Sequence, residues 1–339
     1  MTQSLLLRCI TSVVRRGAVP QPGRERGATV SALHGSERKG PSMKASRLFT
    51  LLGSLAVLIS LGAGAVRPGA AHAGAAPNLL DRNTGIVVHN PKIVNLYWDG
   101  NWDGDNPSFH RSSIDNFTRD LVGNSHYLAT AGQYGVGPAS FGGSFTPSWL
   151  CGASRSGSML SSVTLAAWVT CEVLVPGTGV PYPDINFNGI ANTLYVVYLP
   201  HGTRINDTYT LPAVSLFGHT YGPYTIGNAS CSSTTAGGYG GYHAFSFGGT
   251  NAFAWAVVVA DCAQGSFGSV TGIASHEIAE ASVDPYPTAS WINSSLPSSS
   301  IFSDGEAGDI CEHKSSPNVT IDTFVYARYW SNRDNACKP

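Results

Sequence analysis

The sequence predicts an α+β domain, because β-rich runs come first, a helical segment follows them, and a loop-rich tail ends the chain. Two of the runs, 193–199 and 253–260, are apolar on both faces, as buried central strands are. The helical segment, 270–281, carries apolar residues at helical spacing. It is expected to end at Asp284-Pro285, since a residue that precedes proline is pushed out of the helical region.

Two further strands and a second helix are predicted before the central strands. Residues 85–89 and 93–98 are β-rich and flank Asn90-Pro91, which indicates two strands joined by a tight turn. Apolar residues at helical spacing predict an amphipathic helix over 113–122, with serine caps available at its start.

Less regular structure is expected elsewhere in the second half of the chain. Residues 227–250 are rich in glycine and serine, which predicts loops with short strands. A last short strand is predicted over 323–330. No internal repeat and no linker is visible, so residues 74–339 are predicted to form a single domain.

The N-terminal 73 residues are predicted to lie outside that domain. An apolar run over 48–61 follows Lys44 and Arg47 and precedes Ala71-His72-Ala73, which is typical of a secretory signal. The run is shorter than the roughly 20 residues that a membrane span needs. We therefore expect a signal peptide over 43–73 and a secreted, extracellular protein without stable membrane insertion.

Residues 1–42 contain several arginines and no apolar periodicity. They are predicted to be disordered and to result from an upstream start that is not used. The alternative is a genuine transit or regulatory extension.

The charge of the chain is unevenly distributed and bears on its partners. Ten of the 20 Lys and Arg residues precede Gly74, but only two of the 21 Asp and Glu residues do. Residues 74–339 therefore carry a formal net charge of −9. This excess of acid argues against nucleic acid or an anionic membrane as a partner, because both attract lysine and arginine.

An even number of cysteines remains after Gly74, which predicts three disulfides in an exported protein. Cysteines that follow one another in the sequence are expected to pair, since each such disulfide would close one local loop of the chain. The predicted pairs are Cys151–Cys171, Cys231–Cys262 and Cys311–Cys337. A thiolate metal site is disfavoured because no Cys-x-x-Cys pair exists.

The main candidate site lies on the predicted 270–281 helix and in the loop after it. Residues four apart share a helix face, so His276 and Glu280 can bind one ion, with Glu277 as the general base. A third ligand is expected from Glu306 or Asp309; with Glu306 as ligand, Asp309 would orient a ligand histidine. Zinc is the expected ion, although one imidazole and two carboxylates also suit manganese, iron or calcium.

Other interpretations of these acids remain open. They could form a metal-free carboxylate cluster or a solvated helix face, or Glu277 and Glu306 could be the paired carboxylates of a glycosidase. Asp284 is excluded as a ligand, because a straight helix carries it about 12 Å from His276. Six other histidines of this part of the chain are interpreted as surface or core residues: His89, His110, His126, His201, His219 and His243.

The two acidic segments, 276–285 and 306–312, resemble the phosphate-induced protein family of secreted plant and bacterial proteins, also called Exordium-like. Softer similarity extends over most of 85–337. The resemblance implies a cell-wall-associated extracellular protein. Its helix motif looks like that of a divergent zincin, which implies a zincin-like single domain with a mixed β-sheet, an active-site helix and disulfide-clipped loops. The same likeness implies metal ligands at His276 and Glu280 and a base at Glu277.

The resulting hypothesis is a secreted, zinc-dependent, metallopeptidase-like hydrolase acting on peptide bonds. The alternative is a non-enzymatic extracellular or wall-associated protein that holds a structural ion or binds cell-wall carbohydrate.

Overall fold

The structure is a computed structural model, and it describes most of the chain after residue 77. The described residues are 78–81, 85–98, 102, 110–146, 149–152, 159–184, 190–205, 209–211, 214–216, 219–221, 223–226, 240–248, 251–263, 266–287, 290–293, 305–312 and 314–339. The predicted extension, the predicted signal peptide and Cys231 lie outside these ranges. All described residues belong to one compact unit. Among the helices in these ranges, none has the length and apolar character needed to cross a membrane.

Four α-helices and three 3-10 helices occur in the described residues. The α-helices are α1 (Arg111–Val122), α2 (Ser162–Leu174), α3 (Phe267–Val283) and α4 (Asp309–Glu312). The 3-10 helices are Tyr127–Tyr134, Trp149–Cys151 and Ala260–Ala263.

Seventeen strands occur in the same described ranges. They are β1 (Leu80–Asp81), β2 (Lys92–Tyr97), β3 (Ser140–Phe145), β4 (Met159–Leu160), β5 (Thr193–Leu199), β6 (Arg204–Ile205), β7 (Tyr209–Leu211), β8 (Val214–Leu216), β9 (His219–Tyr221), β10 (Tyr224–Ile226), β11 (Gly241–Gly248), β12 (Asn251–Val259), β13 (Trp291–Ile292), β14 (Asn318–Ile321), β15 (Phe324–Ala327), β16 (Tyr329–Ser331) and β17 (Ala336–Lys338).

A five-stranded mixed sheet carries the fold, in the order β11-β12-β5-β2-β3. Neighbouring strands are parallel except β11, which is antiparallel to β12 and forms one edge of the sheet. Every residue of the central strand β5 is buried, as its apolar character on both faces predicted. The mixed sheet predicted from the sequence is therefore confirmed.

Helices cover both faces of this sheet, so the fold has three layers. Side chains alternate along a strand, so Leu194 and Val196 of β5 point to opposite sides from Tyr195 and Val197. Leu194 and Val196 join the core formed with α1 and α3. Tyr195 and Val197 join a second core beneath α2. Helix α2 was not identified from the sequence, because apolar residues at most of its positions hide a helical period.

The hairpin predicted over 85–98 is wrong. Residues 85–88 form no strand, and β2 pairs only with the parallel strands β3 and β5 within the described residues. The Val88 N–H donates instead to the Ser282 carbonyl of α3 at 2.9 Å, and the Ser290 hydroxyl donates to the Ile86 carbonyl. The apolar side chains that resembled a strand are buried against α3.

The ends of the predicted elements agree with the structure in part. Helix α3 ends at Val283 with Asp284 as its C-cap, as predicted. Helix α1 starts near the predicted position, but His110 occupies its N-cap and no side chain caps it. The predicted last strand is divided into β15 and β16 at Arg328, whose N–H donates to the Pro317 carbonyl. The predicted loop region 227–250 contains the long strand β11.

Two of the predicted disulfides are present. Cys151–Cys171 joins α2 to the 3-10 helix before it, and Cys311–Cys337 joins α4 to β17. Because Cys231 lies outside the described residues, its pairing with Cys262 stays a prediction.

Candidate metal centre

Helix α3 places three polar side chains of the candidate site on the wall of a cleft. Its apolar residues pack toward the sheet, while His276, Glu277 and Glu280 line a cavity of about 230 Å³. Glu277 and Glu280 are only 6% and 2% exposed. Burying ionised carboxylates costs free energy unless a cation or hydrogen-bond donors compensate, so this helix needs partners for its acids.

The first group of candidate ligands joins α3 to the start of α4. His276 Nε2 lies 3.2 Å from Glu280 Oε2 and 3.4 Å from Asp309 Oδ1. Glu280 Oε1 accepts hydrogen bonds from the backbone N–H groups of Gly308 at 2.9 Å and Asp309 at 3.1 Å. These two donors orient the Glu280 carboxylate and leave its Oε2 facing the imidazole.

The loop that carries Asp309 approaches α3 closely because residue 308 is glycine. A Cβ at Gly308 would come within 2.7 Å of His276 Cε1 and 2.8 Å of Glu280 Oε1. Two backbone hydrogen bonds hold this loop in place: Asn293 N–H to the Gly305 carbonyl at 2.8 Å, and Trp330 N–H to the Ala307 carbonyl at 2.7 Å. The Cys311–Cys337 disulfide holds its far end.

The second group is centred on His243 of the edge strand β11. Its Nε2 lies 3.1 Å from the Asp284 carbonyl oxygen, which can only accept, so Nε2 carries a proton. Its Nδ1 faces three carboxylates, at 3.6 Å from Glu277 Oε2, 3.6 Å from Glu280 Oε2 and 3.8 Å from Glu306 Oε2. All three distances exceed that of a hydrogen bond.

Sequence reasoning placed His243 among surface or core histidines and so missed it. The available signal was the run Gly241-Tyr-His-Ala-Phe245, whose β-rich character predicts a strand with its histidine between two buried apolar positions. Strand β11 can lie against α3 because residue 241 is glycine. A Cβ there would come within 2.9 Å of Glu277 Cγ and 2.5 Å of the Val257 carbonyl.

The acids and imidazoles strongly perturb one another's pKa values. Burial and the neighbouring carboxylates raise the pKa of Glu306 well above its ordinary value and that of Asp309 to about 7. Burial would also raise the pKa of Glu280, but the His276 imidazole outweighs it and lowers that pKa to about 2. Burial likewise lowers the pKa of His276, but the opposing carboxylates raise it well above the ordinary value.

The separations of these atoms fit a divalent ion. With bonds of about 2.1 Å, two ligands of one ion lie roughly 3.0 to 4.2 Å apart, depending on the angle between them. The measured separations of 3.2 to 3.8 Å fall within this range. The residues can therefore hold a metal ion, as His276–Glu280–Asp309 or as His243–Glu277–Glu280.

The structure separates the residues that the sequence grouped. Asp309 lies beside His276, whereas Glu306 lies beside His243. The Glu277 side chain lies between α3, which carries it, and β11. Asp284 ends the helix, and its Oδ1 accepts a hydrogen bond from the Ser290 N–H at 2.8 Å. The side chains of His276 and Asp309 are 15% and 13% exposed, so the first group can be reached from the cleft.

Comparison of the chain with models of known protein families, with curated proteins and with solved structures found no match.

Proposed function

We propose that this protein is a metal-dependent hydrolase. Its metal ion, the first ion of the centre, is held by His276, Glu280 and Asp309. The observation that carries the proposal is the convergence of one imidazole nitrogen and two carboxylate oxygens, at 3.2 and 3.4 Å, on the wall of a cleft. Zinc is the ion we infer first, because it accepts both imidazole and carboxylate ligands.

The chemistry follows from the residues around the ion. A bound divalent ion in such a site lowers the pKa of a coordinated water and polarises a carbonyl or similar group of the substrate. Glu277 is adjacent to His276 on the helix and lines the same cleft. Burial raises the pKa of its carboxyl, which suits a general base that must take up a proton near neutral pH.

Several features support a zincin-like architecture and a peptide substrate. The His-Glu-x-x-Glu helix lies against a mixed sheet, and the antiparallel edge strand β11 lines the cleft beside it. Membership of the Exordium-like family is proposed on the resemblance of the two acidic segments alone. The two disulfides support export to an oxidising compartment.

Metal analysis combined with peptide hydrolysis tests the proposal. The purified full chain is assayed against a mixed peptide library before chelation, after chelation and after zinc is returned. We expect activity to be lost and then restored, and to be lost in Glu277→Gln with the first ion retained. His126→Asn is a matched control, since this exposed histidine has φ 52°, which asparagine tolerates. Activity that survives removal of all metal would overturn the proposal.

The second candidate is a non-enzymatic extracellular protein whose ion is structural. The deep burial of His243 and Glu280, each 2% exposed, favours it. In that case metal removal would lower the thermal stability of the protein, and no hydrolysis of peptides or cell-wall carbohydrate would accompany the bound ion.

A further inference from the structure

We propose that the cleft binds a second divalent cation, held by His243 and Glu277, with Glu280 shared between the two ions. This inference rests on the proposed function, because it adds an ion to the same centre. It makes the site a two-metal centre in place of a single-ion site with a separate base.

The distances between the candidate ligands indicate two positions. The ligand atoms of His276, Glu280 and Asp309 form one group, and those of His243, Glu277 and Glu280 form another. Within each group the atoms all lie within 4.8 Å of one another, no group contains both imidazoles, and Glu306 belongs to neither group. Since two ligands of one ion lie at most about 4.2 Å apart, the two histidines as placed serve different ions.

The orientation of the His243 ring independently points to a cation. Its ring is 2% exposed, and its Nε2–H donates to the Asp284 carbonyl. In the neutral ring the Nδ1 lone pair therefore points at three carboxylate oxygens 3.6 to 3.8 Å away. A lone pair gains no hydrogen bond from a carboxylate oxygen, which can only accept. The separations are too long for a shared proton to bridge well, but they match ligands around one ion.

The negative charge of the carboxylates also favours two divalent ions. Glu277, Glu280, Glu306 and Asp309 carry a charge of −4 when ionised, and no lysine or arginine in the described part of the chain forms an ion pair with them. When all four are ionised, one divalent ion leaves −2 on these carboxylates, whereas two neutralise them. The Asp284 carboxylate adds a further negative charge nearby, which also favours the second cation.

Glu280 is arranged to serve both ions. Its Oε1 is occupied by the N–H groups of Gly308 and Asp309, so Oε2 is the oxygen left for metal. That atom lies 3.2 Å from His276 Nε2 and 3.6 Å from His243 Nδ1. A single oxygen shared in this way suits a pair of ions about 3.5 to 4 Å apart, the spacing typical of two-metal hydrolases. With both ions bound, Glu277 is a ligand, and its role as base applies to the one-ion state.

Manganese titration of the full chain, freed of metal, tests the second site. Bound manganese per chain is measured by equilibrium dialysis with elemental analysis, and electron paramagnetic resonance distinguishes an exchange-coupled pair from isolated ions. The variants are His243→Asn and Glu277→Gln, with His126→Asn as control, and thermal unfolding verifies that each is folded. We expect two coupled ions in the unmodified chain and in the control, and one uncoupled ion in each variant.

The other outcomes separate this inference from the proposed function. One ion in the unmodified chain, unchanged by His243→Asn, overturns the second site and leaves the first. Two uncoupled ions that persist in both folded variants also overturn it, because the second ion then lies elsewhere. Failure to bind any ion overturns both proposals. If His243→Asn does not fold, the Glu277→Gln result decides, since glutamine preserves the shape of the side chain.

Discussion

Replacing Gly308 by alanine tests how closely the loop must approach the metal-binding helix. Residue 308 has no positive φ, so alanine introduces no backbone strain, but its Cβ would lie 2.7 to 2.8 Å from His276 and Glu280 side-chain atoms. Contacts this short force the loop to move away. The movement lengthens the 2.9 Å hydrogen bond from the residue 308 N–H to Glu280 Oε1.

The expected loss falls on metal affinity more than on stability. A hydrogen bond to a charged group contributes about 1.5 to 3 kcal/mol, and overpacking costs about 1 to 3 kcal/mol. The clash involves the tips of the ligands themselves, so we expect a loss of roughly 1 to 3 kcal/mol in binding, about 5- to 150-fold in Kd. Stability of the metal-free protein should change less, because the displaced side chains can rotate when no ion fixes them.

Competition between the protein and a zinc-binding dye measures this Kd, and urea unfolding with a chelator present measures stability. Gly132→Ala is the matched control, since a Cβ there would meet no atom within 4 Å. If Gly308→Ala binds zinc as tightly as the unmodified chain, the loop does not position the ligands and the reasoning fails.

Three further predictions concern the same centre. Glu277→Gln should lower kcat by roughly 10²- to 10⁴-fold with the first ion retained, and unchanged kinetics would exclude Glu277 as the base. Without metal, the free energy of unfolding should fall as pH rises from about 4 to about 7. The pKa of Asp309 is about 7 in the folded protein against an ordinary 3.8, so over this range the folded state binds more protons than the unfolded state. Urea unfolding at several pH values checks this, and a stability that rises throughout would contradict it. Replacing Cys311 and Cys337 by serine should lower stability by about 2 to 4 kcal/mol and weaken zinc binding. Replacing Cys151 and Cys171 by serine should lower stability but leave zinc affinity unchanged. Equal zinc affinity in the two double variants would contradict a role for Cys311–Cys337 in holding the ligand loop.

Local sequence patterns predicted much of the framework. The apolar character of β5 on both faces, the helical period of α3 and the proline after Asp284 each depend on neighbouring residues alone, and each was sufficient to place its element. The pairing of His276 with Glu280 was equally accessible, because residues four apart on a helix always share a face. Where local pattern was ambiguous, the prediction failed: the run 85–89 has the composition of a strand but is buried against α3.

The full set of residues at the centre was decided by tertiary structure. His243 precedes His276 by 33 residues in the chain. It reaches the cluster because β11, which carries it, pairs with β12 at the edge of the sheet. Whether Asp309 or Glu306 meets His276 depends on the path of a loop held by Gly308 and by the bond between Cys311 and Cys337. The sequence by itself determined that a helix would present one imidazole and two acids together. Long-range packing alone decided which groups from other elements come within a few ångströms of them, because such distances depend on how whole elements are placed and leave no periodic signal along the chain.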